Sequence, residues 1–277
     1  MAASGSFKFD EVGTWSELKL EIVEKYGAAY TRAFANQRGL KKFYVDAFSG
    51  AGVHISKRSG DQIEGSPARA LKTSPPFDQF VFIDMNEKKT AHLQSLYGDR
   101  KDVHIETGDA SRYLIDKLLP TIKYENYNRA LCLFDPYGLH LRWRAMEMAG
   151  QSHAIDMILN FPVMDMNINA IWRNPGDVPK EGITRMNLFW GDESWRSVAY
   201  AEHPQGNLFG PPDLIKQGNE AVVEAFRDRL RMAAGFRFVA DPLPMRNSTN
   251  AVVYYLFFAS QKKVAEKIIK DIFAKYR

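Results

Sequence analysis

Acidic side chains end or follow four apolar segments of this 277-residue chain, and two glycines stand beside the first of them. The residues in question are Asp46, Gly50, Gly52, Asp84, Asp109 and Asp135. Two glycines spaced by one residue allow positive φ angles and a close approach of the backbone to a ligand. Carboxylates beside such a turn complement hydroxyl groups, amines and positive charge. The pattern therefore predicts a crevice for a polar ligand.

The segments that carry these acids are typical of strands in a parallel sheet. Strands are expected at residues 42–47, 79–86, 102–109, 129–137, 154–162, 236–240 and 251–259. The first five are apolar and alternate with helical segments, which indicates a parallel sheet covered on both faces. Because the carboxyl ends of parallel strands meet at one edge, ligands bind there. We predict an α/β fold with a doubly wound, mostly parallel, seven-stranded sheet.

Helices are expected before, between and after these strands. Apolar residues spaced by four predict an N-terminal helix over residues 14–36. The predicted N-caps are Thr14, Ser66, Asn86 and Asp213. Glu17 would complete a capping box with Thr14, and Pro67 would follow Ser66 at the first helical position. Residues 1–13 and 53–64 lack periodicity, so both are expected to be loops, and the second is a candidate lid.

The composition bounds the class of protein. Net charge is +4 and 45% of the residues are hydrophobic, which excludes disorder for the chain as a whole and is compatible with a nucleic-acid ligand. Cys132 is the one cysteine, so an intrachain disulfide is impossible, and no Cys/His cluster has metal-ligand spacing. A signal peptide and a membrane-spanning run are both missing. A cytoplasmic protein without a metal site is expected.

Residues 163–213 are treated as an insertion within a single domain that covers residues 1–277. Tryptophans and arginines are interleaved there, and the candidate surface residues are Trp172, Arg173, Arg185, Trp190 and Trp195. Such residues can stack on bases and neutralise phosphates. The same tryptophans also suit the core of a subdomain, and the segment also suits an interface with a partner protein. The sequence leaves the three possibilities open.

Each acid has a role that fits a nucleoside ligand. Asp84 is placed to accept hydrogen bonds from ribose hydroxyls, Met85 to pack on a purine, and Asp109 to accept from an exocyclic amine. Asp46 and residues 48–52 would face the charged end of the ligand. A pyrophosphate there would be repelled by Asp46, and the third glycine of a dinucleotide site is missing. Any one of these acids is also a suitable helix N-cap.

The order of these motifs resembles that of class I S-adenosylmethionine-dependent methyltransferases. The motifs are D-A-F-S-G-A-G at 46–52, I-D-M-N at 83–86, G-D-A at 108–110 and F-D-P-Y at 134–137. From residue 14 to 277, the chain is more specifically similar to the bacterial three-Cys-motif partner protein family. The sequences that support this are the helix at 15–26, G-S-P at 65–67, D-P-Y-G at 135–138, N-F-P at 160–162 and Y-Y-L-F-F-A at 254–259.

The resemblance implies a cofactor, a partner and a set of site residues. The cofactor would be S-adenosylmethionine. Its methionine part would contact Asp46, Phe48, Gly50 and Gly52, its ribose Asp84, and its adenine Met85, Asp109 and Ala110. The family name implies a partner protein that carries three cysteines.

Asp135, Pro136 and Tyr137 are the candidate catalytic residues. Related proteins with D/N-P-P-Y/F/W at the fourth strand methylate exocyclic amines of bases, with the aromatic ring stacked on an extruded base. Here Tyr137 comes one place early and the second proline is missing, so a rigid turn that closes the cofactor pocket is the alternative role. The resemblance implies a methyltransferase that acts on nucleic acid. The alternatives are a non-catalytic binding or interaction module and, less favoured, a nucleotide-binding oxidoreductase.

Overall fold

A computed structural model describes residues 8–202 and 214–277 of the chain. Its strands are β1 (Glu11–Val12), β2 (Lys41–Asp46), β3 (Val53–Ser56), β4 (Gln62–Glu64), β5 (Gln79–Asp84), β6 (Val103–Thr107), β7 (Asn128–Phe134), β8 (Ile155–Phe161), β9 (Tyr200–Glu202), β10 (Leu214–Lys216), β11 (Phe238–Val239), β12 (Leu243–Arg246) and β13 (Val252–Ser260).

The strands alternate with helices that run along the faces of the main sheet. The helices are α1 (Thr14–Ala33), α2 (Ser66–Leu71), α3 (Glu87–Tyr97), α4 (Ala110–Tyr113), α5 (Trp143–Gln151), α6 (Val163–Asn169), α7 (Lys180–Trp190), α8 (Trp195–Ala199), α9 (Asn219–Met232) and α10 (Lys263–Phe273). A π-helical turn at Leu114–Leu118 continues α4, and 3-10 turns occupy Leu119–Thr121, Tyr124–Asn126 and Pro175–Asp177.

The main sheet confirms the predicted doubly wound, mostly parallel arrangement. Its order is β11-β13-β8-β7-β2-β5-β6, and β12 also pairs with β13. The strands from β8 to β6 are parallel to their neighbours, whereas β13 runs antiparallel to β8. Within the described residues the sheet has eight strands instead of the seven predicted. The extra strand is β12, which lies in the predicted loop at 241–250 and pairs antiparallel with β13.

Successive strand residues point to opposite faces of this sheet, and each face has its own apolar core. On one face, Val45 and Val81 pack with side chains of the helices from α4 to α9. On the other face, Tyr44 and Phe80 pack with α1, α3 and α10. Cys132 is a free, fully buried residue of the first core, in agreement with the sequence.

The predicted loop at 53–64 is wrong, because these residues form a hairpin. β3 and β4 pair antiparallel, and β1 adds to the other side of β3 in parallel, so the sheet order is β1-β3-β4. Part of the segment before α1, expected to be a loop, is therefore a strand. The hairpin follows the glycine turn after β2 and brings the N-terminal segment over the same edge of the main sheet.

The predicted capping box at the start of α1 is wrong. Gly13 occupies the N-cap and Thr14 is the first helical residue, with no side-chain cap. The Glu17 carboxylate instead accepts a hydrogen bond from the hydroxyl of Ser56 on the hairpin, at 2.6 Å. A tertiary contact therefore replaces the local one. The helix ends at Ala33, three residues earlier than predicted.

The other predicted helix starts vary in accuracy. Gly65 is the N-cap of α2 and Ser66 is its first helical residue, so the helix begins one position earlier than predicted. Asn86 caps α3 as predicted, because its side chain accepts hydrogen bonds from two backbone amides of the first turn. Asp213 lies outside the described residues, and α9 begins only at Asn219. None of the helices in 8–202 and 214–277 has both the length and the apolar character of a bilayer span.

Candidate active site

The acids predicted at the strand ends lie along the carboxyl edge of the sheet. Asp46 is the last residue of β2, Asp84 is the last residue of β5, and Asp135 directly follows β7. Because β2 lies between the other two strands, Asp46 stands opposite Phe82 on one side and Leu133 on the other. This edge is the usual ligand-binding edge of an open α/β sheet.

Asp84 anchors the glycine turn that follows β2. Its Oδ2 accepts a hydrogen bond from the backbone amide of Gly50 at 2.9 Å, and its Oδ1 accepts from the amide of Asn86 at 2.8 Å. Gly50 and Gly52 have φ angles of +64° and +77°, and a Cβ at Gly52 would lie 2.9 Å from Leu93. The turn therefore requires glycine. Each carboxylate oxygen of Asp84 retains a lone pair for a ligand hydroxyl.

Asp46 lies beneath the glycine turn and is fully buried. Its Oδ1 accepts from the backbone amide of Phe48 at 3.4 Å, whereas its Oδ2 has no hydrogen-bond partner among the described residues. Burial raises the pKa of the Asp46 carboxyl to about 7, an effect that the nearby hydroxyl of Ser66 opposes and the charge of Asp135 reinforces. A buried carboxyl with an unpaired oxygen points to a functional role.

Two side chains from other elements hold the carboxylate of Asp135. Lys19 of α1 forms an ion pair with Oδ2, and Nδ2 of Asn160 donates to Oδ1 at 2.8 Å. Asn160 stands beside Asp135 because Phe134 and Leu159 pair in the preceding ladder. The side chain of Lys19 is only 9% exposed and that of Asp135 is 23% exposed. The orientation of Asp135 is therefore fixed before any ligand binds.

Pro136, Tyr137 and Gly138 form the turn that follows. Pro136 is buried, whereas Tyr137 is 61% exposed as a residue, with its hydroxyl donating to Asp10 of the N-terminal segment at 3.1 Å. Gly138 has a φ angle of +74°, and a Cβ there would lie 2.6 Å from the carboxylate of Asp165. Asp165 in turn accepts from the backbone amide of Leu139 at 3.1 Å. The turn is thus tied down behind an exposed aromatic ring.

A cavity of about 350 Å³ lies between α1, the glycine turn and the turn after β7. The rings of Trp15 and Phe48 form part of its lining. Three further lining residues have a buried polar atom without a hydrogen-bond partner in the described part of the chain: Oγ of Ser49, Nδ1 of His54 and Oδ1 of Asn160. Since buried polar groups are generally paired, three unpaired atoms around one cavity indicate a polar ligand.

The residues predicted to bind adenosine follow the strands β5 and β6 and do not line this cavity, and Asp109 lines a separate pocket. Met85 is 72% exposed directly after β5. Asp109 follows β6 and caps α4, where its Oδ1 accepts from the backbone amide of Arg112 at 3.1 Å, and its Oδ2 lies 3.6 Å from the guanidinium of Arg142. Ala110 is buried. Asp109 is therefore an N-cap, the alternative that the sequence left open, and its carboxylate is still 39% exposed.

Two of the five residues predicted to form a substrate or partner surface are core residues. Trp190 and Trp195 are 2% and 0% exposed. Their indole N–H groups donate to Ser194 at 2.9 Å and to Asn187 at 2.7 Å, and Trp190 packs on the ring of Phe226 in α9. The surface assignment of these two tryptophans is wrong, because packing removes both rings from solvent.

The other three residues of that set lie nearer the surface. Arg173 is exposed, and Trp172 and Arg185 are partly buried. The indole of Trp172 donates to the backbone carbonyl of Ile168 at 2.7 Å, and Ile168 is one of the residues that line the cavity. Trp172 thus stands beside the cavity rim, and its role in substrate contact stays a prediction.

Sequence reasoning gave no role to Lys19, His54 or Asn160, although all three line the cavity. Lys19 shares the buried face of α1 with Val23 and Tyr26, at spacings of four and seven residues. A single cation in a buried helical stripe is the signal that would have marked it. Burial and then the charge of Lys19 lower the pKa of His54, which favours a neutral imidazole near pH 7.

Comparison with known proteins identifies the fold. No family model and no curated protein matches the sequence. The structure of the Legionella pneumophila protein LPL1258 is similar, with a TM-score of 0.55 and 11% identity over 93% of this chain and 91% of that one. The chain has a class I methyltransferase-like Rossmann fold. In terms of the seven predicted strands, its sheet order is 3-2-1-4-5-7-6, with the seventh strand antiparallel to the fifth.

Solved methyltransferases are among the further structural neighbours. One is an S-adenosylmethionine-dependent methyltransferase from Mesorhizobium loti, with a TM-score of 0.39 and 12% identity over 83% of this chain and 95% of that one. Another is the CurJ carbon methyltransferase, with a TM-score of 0.44 and 11% identity over 90% of this chain and 56% of that one.

Proposed function

We propose that the protein transfers a methyl group from S-adenosylmethionine to a nucleic acid, with a three-cysteine-motif protein as its partner. One observation carries this proposal: Phe48 and Ser49, in the turn after β2, and the turn at Asp135 line the same cavity of about 350 Å³. A cofactor bound at the first turn and an acceptor bound at the second would meet inside it. Methyl transfer from an activated sulfonium depends mainly on such alignment.

The residues at this edge fit the proposed cofactor. Asp46 and Ser49 have unpaired, buried oxygens that suit the ammonium of the methionine part, and Gly50 and Gly52 permit close approach of the backbone. Asp84 retains acceptor capacity for ribose hydroxyls. When bound, S-adenosylmethionine supplies an activated methyl group on a positively charged sulfur. Two nearby carboxylates suit that charge better than they would suit a pyrophosphate.

The residues at the second turn fit an amine acceptor. An exocyclic amine has two N–H groups, and two side-chain oxygens are placed to accept them. One belongs to Asp135, which retains lone pairs beside its bonds to Lys19 and Asn160. The other is the unpaired Oδ1 of Asn160. The exposed ring of Tyr137 supplies a stacking surface for a base, so the early tyrosine in D-P-Y is compatible with this chemistry.

The partner and the adenine contacts belong to the same proposal. Cys132 is the one cysteine and is buried, so a three-cysteine protein would be a separate chain. Trp172 beside the cavity rim and the exposed Arg173 next to it in the sequence are candidate contacts for the partner or the nucleic acid. Asp109 and Met85 would take the adenine, with the capping role of Asp109 retained.

The proposal is tested by transfer of labelled methyl groups. Protein, S-adenosylmethionine labelled in the methyl group, and total RNA or DNA are incubated with and without a candidate three-cysteine partner. We expect label in the nucleic acid with wild type and with the control Asp116→Ala, an exposed acid of another segment. Asp135→Ala should bind the cofactor and transfer no label. Unchanged transfer by Asp135→Ala, or no transfer by wild type with the partner present, would contradict the proposal.

A second candidate function is that of a non-catalytic, cofactor-binding module that assists the partner. The observation in its favour is that Lys19 already pairs with Asp135, which reduces the charge available to an acceptor. This alternative predicts that the affinity for the cofactor increases when the partner is present. It also predicts no methyl transfer by the wild-type protein or by the Asp135 variants.

A further inference from the structure

The carboxylate of Asp10 in the N-terminal segment lies between two groups that flank the candidate site. Lys89 of α3 donates to its Oδ2 at 2.6 Å, and the hydroxyl of Tyr137 donates to the same oxygen at 3.1 Å. The ammonium of Lys89 also lies 5.2 Å from the centre of the Tyr137 ring. The side chain of Lys89 is only 12% exposed in this arrangement. One acidic side chain therefore occupies a two-donor anion site.

The two donors come from different strand ends on either side of the cleft. Lys89 lies in the first turn of α3, just after Asp84, where the helix dipole also favours an anion. Tyr137 lies two residues after Asp135. A cation and a hydroxyl that converge on one oxygen form a good site for a phosphate group. The bound Asp10 carboxylate shows that the site accepts an anion.

The segment that carries Asp10 is held by few contacts. β1 has two residues, and the backbone bonds to the hairpin are Ile55 N–H to Asp10 O and Lys57 N–H to Val12 O, both at 2.9 Å. The ring of Phe9 also contacts His92 of α3. Val12 itself lines the cavity. Withdrawal of the segment would therefore open both the cavity and the Lys89–Tyr137 site.

We propose that Lys89 and Tyr137 bind a backbone phosphate of the nucleic-acid acceptor, and that Asp10 occupies this site until the acceptor displaces it. This inference rests on the proposed function, because it assigns a contact to the acceptor of that same site. The Asp10 carboxylate competes with the phosphate. The apparent Kd for the acceptor therefore equals the intrinsic Kd divided by the fraction of molecules in which Asp10 has left the site. The contact is also expected to place the acceptor beside Asp135.

The test compares charge removal at two adjacent positions. Binding of a fluorescent single-stranded oligonucleotide is measured by anisotropy at fixed salt for wild type, Asp10→Asn, Glu11→Gln and Lys89→Gln. Glu11 is a matched control, because among the ion pairs of the described residues its carboxylate contacts only the exposed Lys8, at 3.5 Å. We expect Asp10→Asn to bind about fivefold tighter or more, Glu11→Gln to bind within about twofold of wild type, and Lys89→Gln to bind more weakly.

Further variants separate a failure of this inference from a failure of the proposed function. Lys89→Arg should restore binding, and thermal unfolding checks that Lys89→Gln is folded. Equal affinities of Asp10→Asn and Glu11→Gln would overturn the role of Asp10 while leaving the acceptor class intact. No oligonucleotide binding by any variant, Asp10→Asn included, would contradict the acceptor class itself. If Asp10→Asn tightened only the binding of S-adenosylmethionine, the anion would be the cofactor carboxylate and the inference would be wrong.

Discussion

The ammonium of Lys19 forms an ion pair with Oδ2 of Asp135, although the two residues are 116 positions apart in the sequence. The pair joins α1 to the turn after β7 inside the cavity, and Nζ of Lys19 lies 5.5 Å from the centre of the Tyr254 ring. Because both charges are largely shielded from water, each depends on the other for its stability. The N-terminal helix is therefore part of the candidate site as well as of the core.

This pair predicts a large coupling energy between Lys19 and Asp135. In a double-mutant cycle of Lys19→Met and Asp135→Asn, we expect each single variant to lower the free energy of unfolding by about 2–4 kcal/mol. The double variant should regain about 1–3 kcal/mol of the summed loss. The exposed pair of Lys25 and Glu21 on the same helix is the control. Its coupling should be far smaller, because both side chains are exposed to solvent. Additive effects at Lys19 and Asp135 in urea denaturation would refute the coupling.

The two glycines with the same φ angle, Gly52 and Gly60, should differ in their tolerance of alanine. Both have φ of +77°, so the left-handed strain is shared. A Cβ at Gly52 would lie 2.9 Å from Leu93, whereas nothing lies within 4 Å at Gly60. Gly52→Ala should cost about 1–3 kcal/mol more than Gly60→Ala, because of overpacking. Equal midpoints in urea denaturation would show that the close approach at Gly52 is unimportant.

The raised pKa of the Asp46 carboxyl leads us to expect proton release when a cationic cofactor binds. Burial raises the pKa of its carboxyl to about 7, and a bound positive charge favours the ionised form. The affinity for S-adenosylmethionine should therefore rise between about pH 6 and pH 8, with up to one proton released at the lower pH. Calorimetry in two buffers of different ionisation enthalpy measures this release. It should vanish in Asp46→Asn, and an unchanged release in that variant would exclude Asp46 as its source.

The raised pKa of the buried Asp156 carboxyl leads us to expect a lower free energy of unfolding as the pH rises. It accepts from the hydroxyls of Tyr26 at 2.6 Å and Ser260 at 2.5 Å, and its burial raises the pKa of the carboxyl to about 6. An unfolded chain titrates Asp near about pH 4, so the folded state binds more protons between about pH 4 and pH 6. The free energy of unfolding therefore decreases over this window as pH rises. Asp156→Asn should show a shallower decrease in urea denaturation, and identical slopes would contradict the assignment.

The main sheet was predictable because its strands have strong local signals. The five parallel strands are nearly continuous apolar runs, and their order along the chain with intervening helices fixes a doubly wound arrangement. Asp46, Asp84 and Asp135 were found for the same reason, since each marks the end of such a run. β12 was missed because Pro244 lies within it and its sequence resembles a loop. A proline is tolerated there because, among the strands of residues 8–202 and 214–277, β12 pairs only with β13.

The hairpin and the helix caps depended on contacts that the sequence does not encode locally. β3 and β4 are only four and three residues long, and they are held by pairing with each other and by the pairing of β3 with β1. Glu17 satisfied the capping-box pattern but bonds to Ser56 on that hairpin. Trp190 and Trp195 were ambiguous because an aromatic ring suits a core and a ligand surface equally. In each case a tertiary contact decided among local alternatives.

The most direct test of the proposed cofactor site is calorimetric titration of S-adenosylmethionine and S-adenosylhomocysteine into wild type, Asp84→Ala and Asp102→Ala. Asp102 is the control, an acid at the surface that pairs with Arg100. We predict about micromolar binding by wild type and the control, and a loss of about tenfold or more in Asp84→Ala. Asp84→Asn, which keeps an acceptor oxygen near Gly50, should fall between them. Equal binding by wild type and Asp84→Ala, or no binding by wild type with the partner protein present, would contradict the assignment of this edge as a cofactor site.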